Sequence, residues 1–262
     1  MGGISISNQP FAIVSSAIGV TGQEFDGIMG MAYPAEGTIG ENAVVFSMYL
    51  AGELKLPIFT FWIEPISTGS DTGELILGGY DTTKFVGCIT YVPVSVQRYW
   101  QFIADSITLS VGSKSTTIAT SFTAGFGTGN AVAFVGPVVY VNNIYEILEA
   151  VFDPTIGLYA IDCQTKPLST FPNISLTISG VPFVLTPPMY TLITGNSTSY
   201  TCHVLIIAAD VPDGDTNIWI FGTYFMRHFY TIFDTQKNRI GIALSSLYSV
   251  VPTEPIPLPT NE

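Results

Sequence analysis

Short apolar and β-branched runs, each closed by Gly, Pro, Asn or Ser, recur along most of the chain. Residues 58–63 (IFTFWI), 74–79 (ELILGG), 174–178 (ISLTI) and 204–207 (VLII) are of this kind, and their length and composition predict strands. Two segments have the helical period instead: Val44, Val45, Met48 and Tyr49, then Ile144, Ile147, Leu148 and Val151. The pattern predicts a mostly-β protein with a few short helices. Residues 251–262 hold four prolines in twelve positions and predict an extended, solvated tail.

One pattern occurs twice. Phe25-Asp26-Gly27-Ile28-Met29-Gly30 and Ile218-Trp219-Ile220-Phe221-Gly222 both set apolar residues before a glycine. In a β setting, the apolar side chains are expected to pack down while the glycine admits a neighbouring backbone.

Composition narrows the functional classes. Of 262 residues, 47% are hydrophobic and 11% charged, against a usual charged share of about 25%, so general disorder is excluded. Twenty acidic residues oppose eight basic ones, for a net charge of −12. That balance argues against nucleic acid and against an anionic membrane surface, both of which need clustered Lys and Arg. The long uncharged stretches 115–145 and 167–209 are interrupted by Gly, Pro and Asn, so neither predicts a membrane-spanning helix. The opening Met1-Gly2-Gly3-Ile4 has neither the basic nor the apolar region of a signal peptide. Cys88, Cys163 and Cys202 permit one disulfide and leave one thiol over. Asn173-Ile174-Ser175 and Asn196-Ser197-Thr198 are glycosylation sequons, which with the acidic balance lean toward an extracytoplasmic compartment.

The residues around the repeated pattern carry a resemblance. Residues 25–34 (FDGIMGMAYP), 73–81 (GELILGGYD), Tyr91-Val92-Pro93-Val94-Ser95, Tyr99-Trp100-Gln101-Phe102, and 218–234 with Ile240-Gly241-Ile242-Ala243 resemble, in order, segments of the pepsin-like aspartic peptidase family. The similarity runs over roughly residues 2 to 246. It implies a mostly β, pepsin-like bilobal acid-protease fold with the first lobe incomplete and the second near complete. The lobes would be residues 1–85 and 86–250, followed by the Pro-rich acidic tail 251–262. Cys163 and Cys202 fall at the positions of the family's second-lobe disulfide, which leaves Cys88 expected as a buried free thiol. Tyr99 and Ile218 fall where family members line the substrate cleft. The resemblance implies polypeptide as substrate or ligand, no cofactor and no metal. It also implies secretion or a lysosomal or digestive compartment for a full-length product, with Met1 at an internal family position.

The family's chemistry uses two aspartates, each in an Asp-Thr-Gly loop, sharing one proton so that one activates water while the other polarises the scissile carbonyl. The first such loop is expected upstream of this chain. At the second, the sequence reads Gly125-Phe126-Gly127-Thr128-Gly129-Asn130, which places Gly127 at the catalytic position when anchored on Thr128-Gly129, or Thr128 when counted back without a gap from Gly136-Pro137. Neither titrates as a general acid or base. Asp105 and Asp153 lie far along the chain, and Asp71-Thr72-Gly73, preceded by Thr68-Gly69-Ser70 and followed by Glu74, reads as a turn. Thr223 also replaces the family's aspartate. No catalytic residue is therefore assigned. The glycine-rich stretch lacks the Lys of a nucleotide loop, and Ala131 to Val135 reads as strand. His203 and His228 read as structural rather than metal-ligating, and there is no Gly-x-Ser-x-Gly elbow. Two readings follow: an aspartic endopeptidase by family that is inactive as this chain, and, alternatively, a non-catalytic secreted homologue that binds peptides or proteins.

Overall fold

The computed structural model describes residues 2–16, 25–37, 42–66, 72–196, 198–210 and 218–250. In chain order its strands begin with β1 (Ile58–Ile63), β2 (Gly73–Leu77), β3 (Phe85–Pro93), β4 (Val96–Gln97), β5 (Trp100–Val111), β6 (Lys114–Phe126), β7 (Phe134–Gly136) and β8 (Val151–Asp153). They continue with β9 (Leu158–Ile161), β10 (Asn173–Ile178), β11 (Val181–Leu185), β12 (Thr191–Asn196), β13 (Ser199–Val204), β14 (Ile206–Ala208), β15 (Ile218–Phe221), β16 (Phe229–Asp234) and β17 (Arg239–Ser245). The helices among the described residues are short: α1 (Val44–Leu50), α2 (Val138–Leu148), α3 (Pro187–Tyr190) and α4 (Thr223–His228). The protein is mostly β, as its pattern predicts.

The strands form three sheets. A five-stranded antiparallel sheet runs β2-β1-β16-β17-β3 and so joins strands from both sides of position 85. An eight-stranded sheet runs β11-β10-β5-β6-β15-β7-β14, with β4 paired to β5. A four-stranded sheet runs β12-β13-β9-β8. The β5–β6 hairpin closes with Gly112 at φ +56°, a conformation a two-residue turn needs to match the strands' twist.

Aromatic rings connect the layers. Phe59 of β1 stacks on Phe233 of β16 at 4.7 Å, and Trp100 meets Phe233 edge-on at 5.0 Å. The Trp100 indole N–H donates to the Met31 carbonyl at 2.9 Å, so residues near position 30 are tied to β5. Phe126, at the end of β6, meets Phe102, Phe221, Phe225 and Phe233. Phe102, Phe221, Phe225 and Phe233 are each at most 2% exposed.

Several elements depart from the pattern's expectation. Val151 keeps the helical period yet stands in β8, 71% exposed, because Glu149 turns left-handed (φ 54°) and ends α2. The run 204–207 is split at Leu205, whose N–H bonds Tyr190 O and whose carbonyl accepts from Ala133, so the chain passes from one sheet to another. Strand does not begin at Ala131 but at Phe134, since residues 130–133 bond instead to the start of α4. Residues 25–30 form no strand, and Phe25 (51%) and Ile28 (87%) are exposed rather than packed down. Cys88 is exposed, not buried. Gly87, at φ +77°, lies in an irregularity where residues 87–89 face Ala243 alone, on an edge strand. Asp71 and the tail 251–262 lie outside the described residues; Gly73 of the same tripeptide opens β2.

Candidate active site

β15 lies between β6 and β7, parallel to the first and antiparallel to the second. The loop joining β6 to β7 must therefore pass around the end of β15, and backbone hydrogen bonds hold it there. Gly127 N–H donates to Phe221 O (3.0 Å), Gly222 N–H to Ala133 O (3.0 Å), Thr223 N–H to Asn130 O (2.8 Å) and Tyr224 N–H to Val132 O (3.2 Å). Within the loop, Asn130 N–H closes a turn onto Gly127 O at 3.2 Å.

Gly222 makes this close passage possible. A Cβ there would stand 2.3 Å from Asn130 O and 2.4 Å from Val132 O, both backbone atoms that cannot swing aside. Gly222→Ala is expected to cost about 1–3 kcal/mol of stability, the usual range for overpacking. Denaturant unfolding checks this, and an unchanged midpoint would show that the loop is not held as described.

The loop carries no acid. A side chain at Gly127 would point at the Asn130 amide (Nδ2 at 2.8 Å from an ideal Cβ) and at Ile220 Cγ2 (3.0 Å). Thr128 and Gly129 are exposed at its tip, and Asn130 is half-buried. There is no Asp or Glu between residues 106 and 145, nor between 216 and 233, the two segments that build this turn. Asp105 accepts from Gly180 N–H at 2.7 Å, and Asp153 pairs with His203. Thr223, where the resemblance expects aspartate, hydrogen-bonds Asn130 O with its own N–H.

Tyr99 precedes β5 and so lies near Gly125, the partner of Gln101, at the loop's end of the sheet. It is 37% exposed, under the Arg98 guanidinium. Burial pushes the neighbouring Glu36 carboxyl up, but hydrogen bonds from Tyr99 and Arg98 outweigh it and hold that group below the usual carboxylate range. Ile218 pairs with Thr123 at the opposite end of β15 from the loop, about 10 Å along the strand from Phe221.

Cys163 and Cys202 are joined by a disulfide, with Cys202 fully buried. Asn173 opens β10 opposite Ser110 and is half-buried. Asn196 is exposed at the end of β12, where its Oδ1 accepts from Thr198 N–H (3.0 Å), Thr198 Oγ1 (2.8 Å) and Ser199 N–H (2.9 Å). His203, 1% exposed, sits between Asp153 (Nε2 to Oδ2, 3.0 Å) and Thr194 (Nδ1 to Oγ1, 3.2 Å). The hydrogen bond from His203, then that from Thr155 N–H, lowers the Asp153 carboxyl's pKa. The two partners stand fifty and nine residues from His203, and the sequence carried no signal for the pairing. Nor did it mark Asn130. Among the described residues, no cluster of His, Cys, Asp or Glu could hold a metal ion, and no helix is long and apolar enough to cross a membrane.

A family model described as eukaryotic aspartyl protease matches residues 1–245. The chain belongs to the eukaryotic aspartyl protease family. Similar members of this family include cathepsin E of Aquarana catesbeiana, 32% identical over 243 residues that cover 92% of this chain and 59% of the relative. Cathepsin D of Clupea harengus is 32% identical over 94% of this chain and 61% of its own, and pepsin A of Sus scrofa 33% over 93% and 60%. The chain thus spans about three fifths of the length of these aspartyl proteases.

Proposed function

We propose that this chain is a non-catalytic form of the aspartyl protease fold, in which the loop at 127–130 meets a polypeptide without hydrolysing it. One observation carries the reading: the loop that the resemblance aligns with the second catalytic position holds Gly127, backed by the Asn130 amide and the Ile220 methyl group, and Thr128, and neither supplies a carboxylate. The family reaction needs two carboxylates so close that they share a proton. Whatever supplies the other half of such a pair, this loop supplies none, and a single carboxylate cannot be both general base and general acid. Residues 1–85 and 86–250 then correspond to part of the first lobe and to the second lobe, and Tyr99 faces the polypeptide beside the loop. The Cys163–Cys202 disulfide and the exposed sequon at Asn196 support an oxidising, secreted or lysosomal/digestive setting.

The test uses the full chain and an unfolded polypeptide such as reduced, alkylated casein, between pH 3 and 7, with circular dichroism confirming the fold at each pH. The expected result is no cleavage by the wild-type chain and none by Gly127→Asp, whose new side chain would meet the Asn130 amide. Cleavage by the wild-type chain that rises with protein concentration and is lost on unfolding would overturn the reading.

A further inference from the structure

We infer that the cavity between the β5–β6 turn, the end of α2 and the segment entering β10 is a binding site for a small organic anion with an apolar body. Far along the sheet from the 127–130 loop, it has a volume of about 200 Å³. Its floor is apolar: Leu109, Leu148 and Phe171 are 2%, 1% and 7% exposed. Its rim carries Lys114, Lys166 and Glu149.

Charge decides the ligand class. Lys166 is ion-paired with Glu149, whereas Lys114, the first residue of β6, has no carboxylate partner among the described residues. The rim is therefore positive by one charge in a chain whose total is −12. At the end of α2 the carbonyls of Tyr145 and Glu146 accept the N–H groups of Ala150 (2.9 Å) and Glu149 (3.1 Å), which reduces the partial negative charge that this helix end presents to the cavity. A cation would meet two ammonium groups, and a neutral apolar molecule would gain nothing from them. A carboxylate with a ring or short chain fills the floor and accepts charge-assisted hydrogen bonds from Lys114 and the outward N–H groups of Lys166. The volume lies below that of sites for drug-sized ligands, which sets the size of the apolar part at a single ring or a short alkyl chain.

Benzoate is the probe, titrated into the ¹⁵N-labelled full chain at pH 7 while the amides of Lys114, Thr116 and Phe171 are followed by NMR. Saturable shifts at these amides are expected, with a Kd on the order of 1 mM for so small a ligand. Lys114→Gln, an exposed position beside a turn, is expected to weaken benzoate about fivefold with the remaining spectrum superimposed. Benzyl alcohol, the neutral counterpart, should bind about fivefold more weakly than benzoate, and benzylamine should give no saturable shift. Absence of benzoate saturation at these amides, equal binding by Lys114→Gln, or equal binding of the alcohol or amine would overturn the assignment.

Discussion

Cys163→Ala is expected to lower the unfolding free energy by about 4 kcal/mol, the chain-entropy value for a cross-link over 39 residues. For a chain of this size that corresponds to a fall in Tm of about 10 °C. The bond fastens the segment after β9 to the middle of β13, so it closes the loop that contains β10, β11, α3 and β12. Without it, the unfolded chain regains that loop's freedom, while the native contacts around buried Cys202 stay in place. Calorimetry of Cys163→Ala beside Cys88→Ala makes the comparison clean, because Cys88 is exposed and unpaired and its replacement should leave Tm within about 1 °C. Equal melting of the two variants would show that the cross-link contributes nothing.

Acid is expected to destabilise the fold through His228. This side chain is 3% exposed at the end of α4. Burial pushes its pKa down to about 4, with a smaller push in the same direction from Arg227, while the hydrogen bond to Tyr248 O (3.2 Å) opposes both. In the unfolded chain the same group titrates near about 6.5. The native state thus binds fewer protons than the unfolded state between those values, and stability present at pH 7 is lost as pH falls through the window. The loss amounts to about 3 kcal/mol by pH 4. His228→Asn keeps an N–H donor for Tyr248 O and removes the titration, so its stability should be nearly flat over that window. Urea unfolding at pH 7, 5.5 and 4 gives both slopes; parallel curves would refute the assignment. Below this window the lowered carboxyls, Asp153 among them, add a further acid loss in both proteins.

Much of this was legible along the chain. Strands at 58–63 and 174–178 follow from short apolar, β-branched runs, the first covered on both faces and the second burying alternate side chains, and α1 and α2 form where apolar residues recur at helical spacing. The absence of an acid from the loop was equally legible, because a residue's chemical identity needs no fold to be known. The pairing of Cys163 with Cys202 rather than Cys88 came from family likeness and not from spacing, since three cysteines alone allow three pairings.

Other features are set by partners distant in the chain. Leu205 changes sheets because Tyr190 and Ala133 take its two backbone groups, and Val151 leaves the helix because Glu149 turns left-handed and the chain goes on to pair with β9. Asn130 fills the space beside Gly127 only because β15, about ninety residues later, enters between β6 and β7 and bends the loop around its end. Local propensity and the list of available side chains are properties of short segments, whereas the competition among backbone partners is resolved only when the whole sheet forms. The sequence alone shows that the 127–130 loop lacks a carboxylate. That the Asn130 amide and an Ile220 methyl group stand beside Gly127 is a result of three strands meeting.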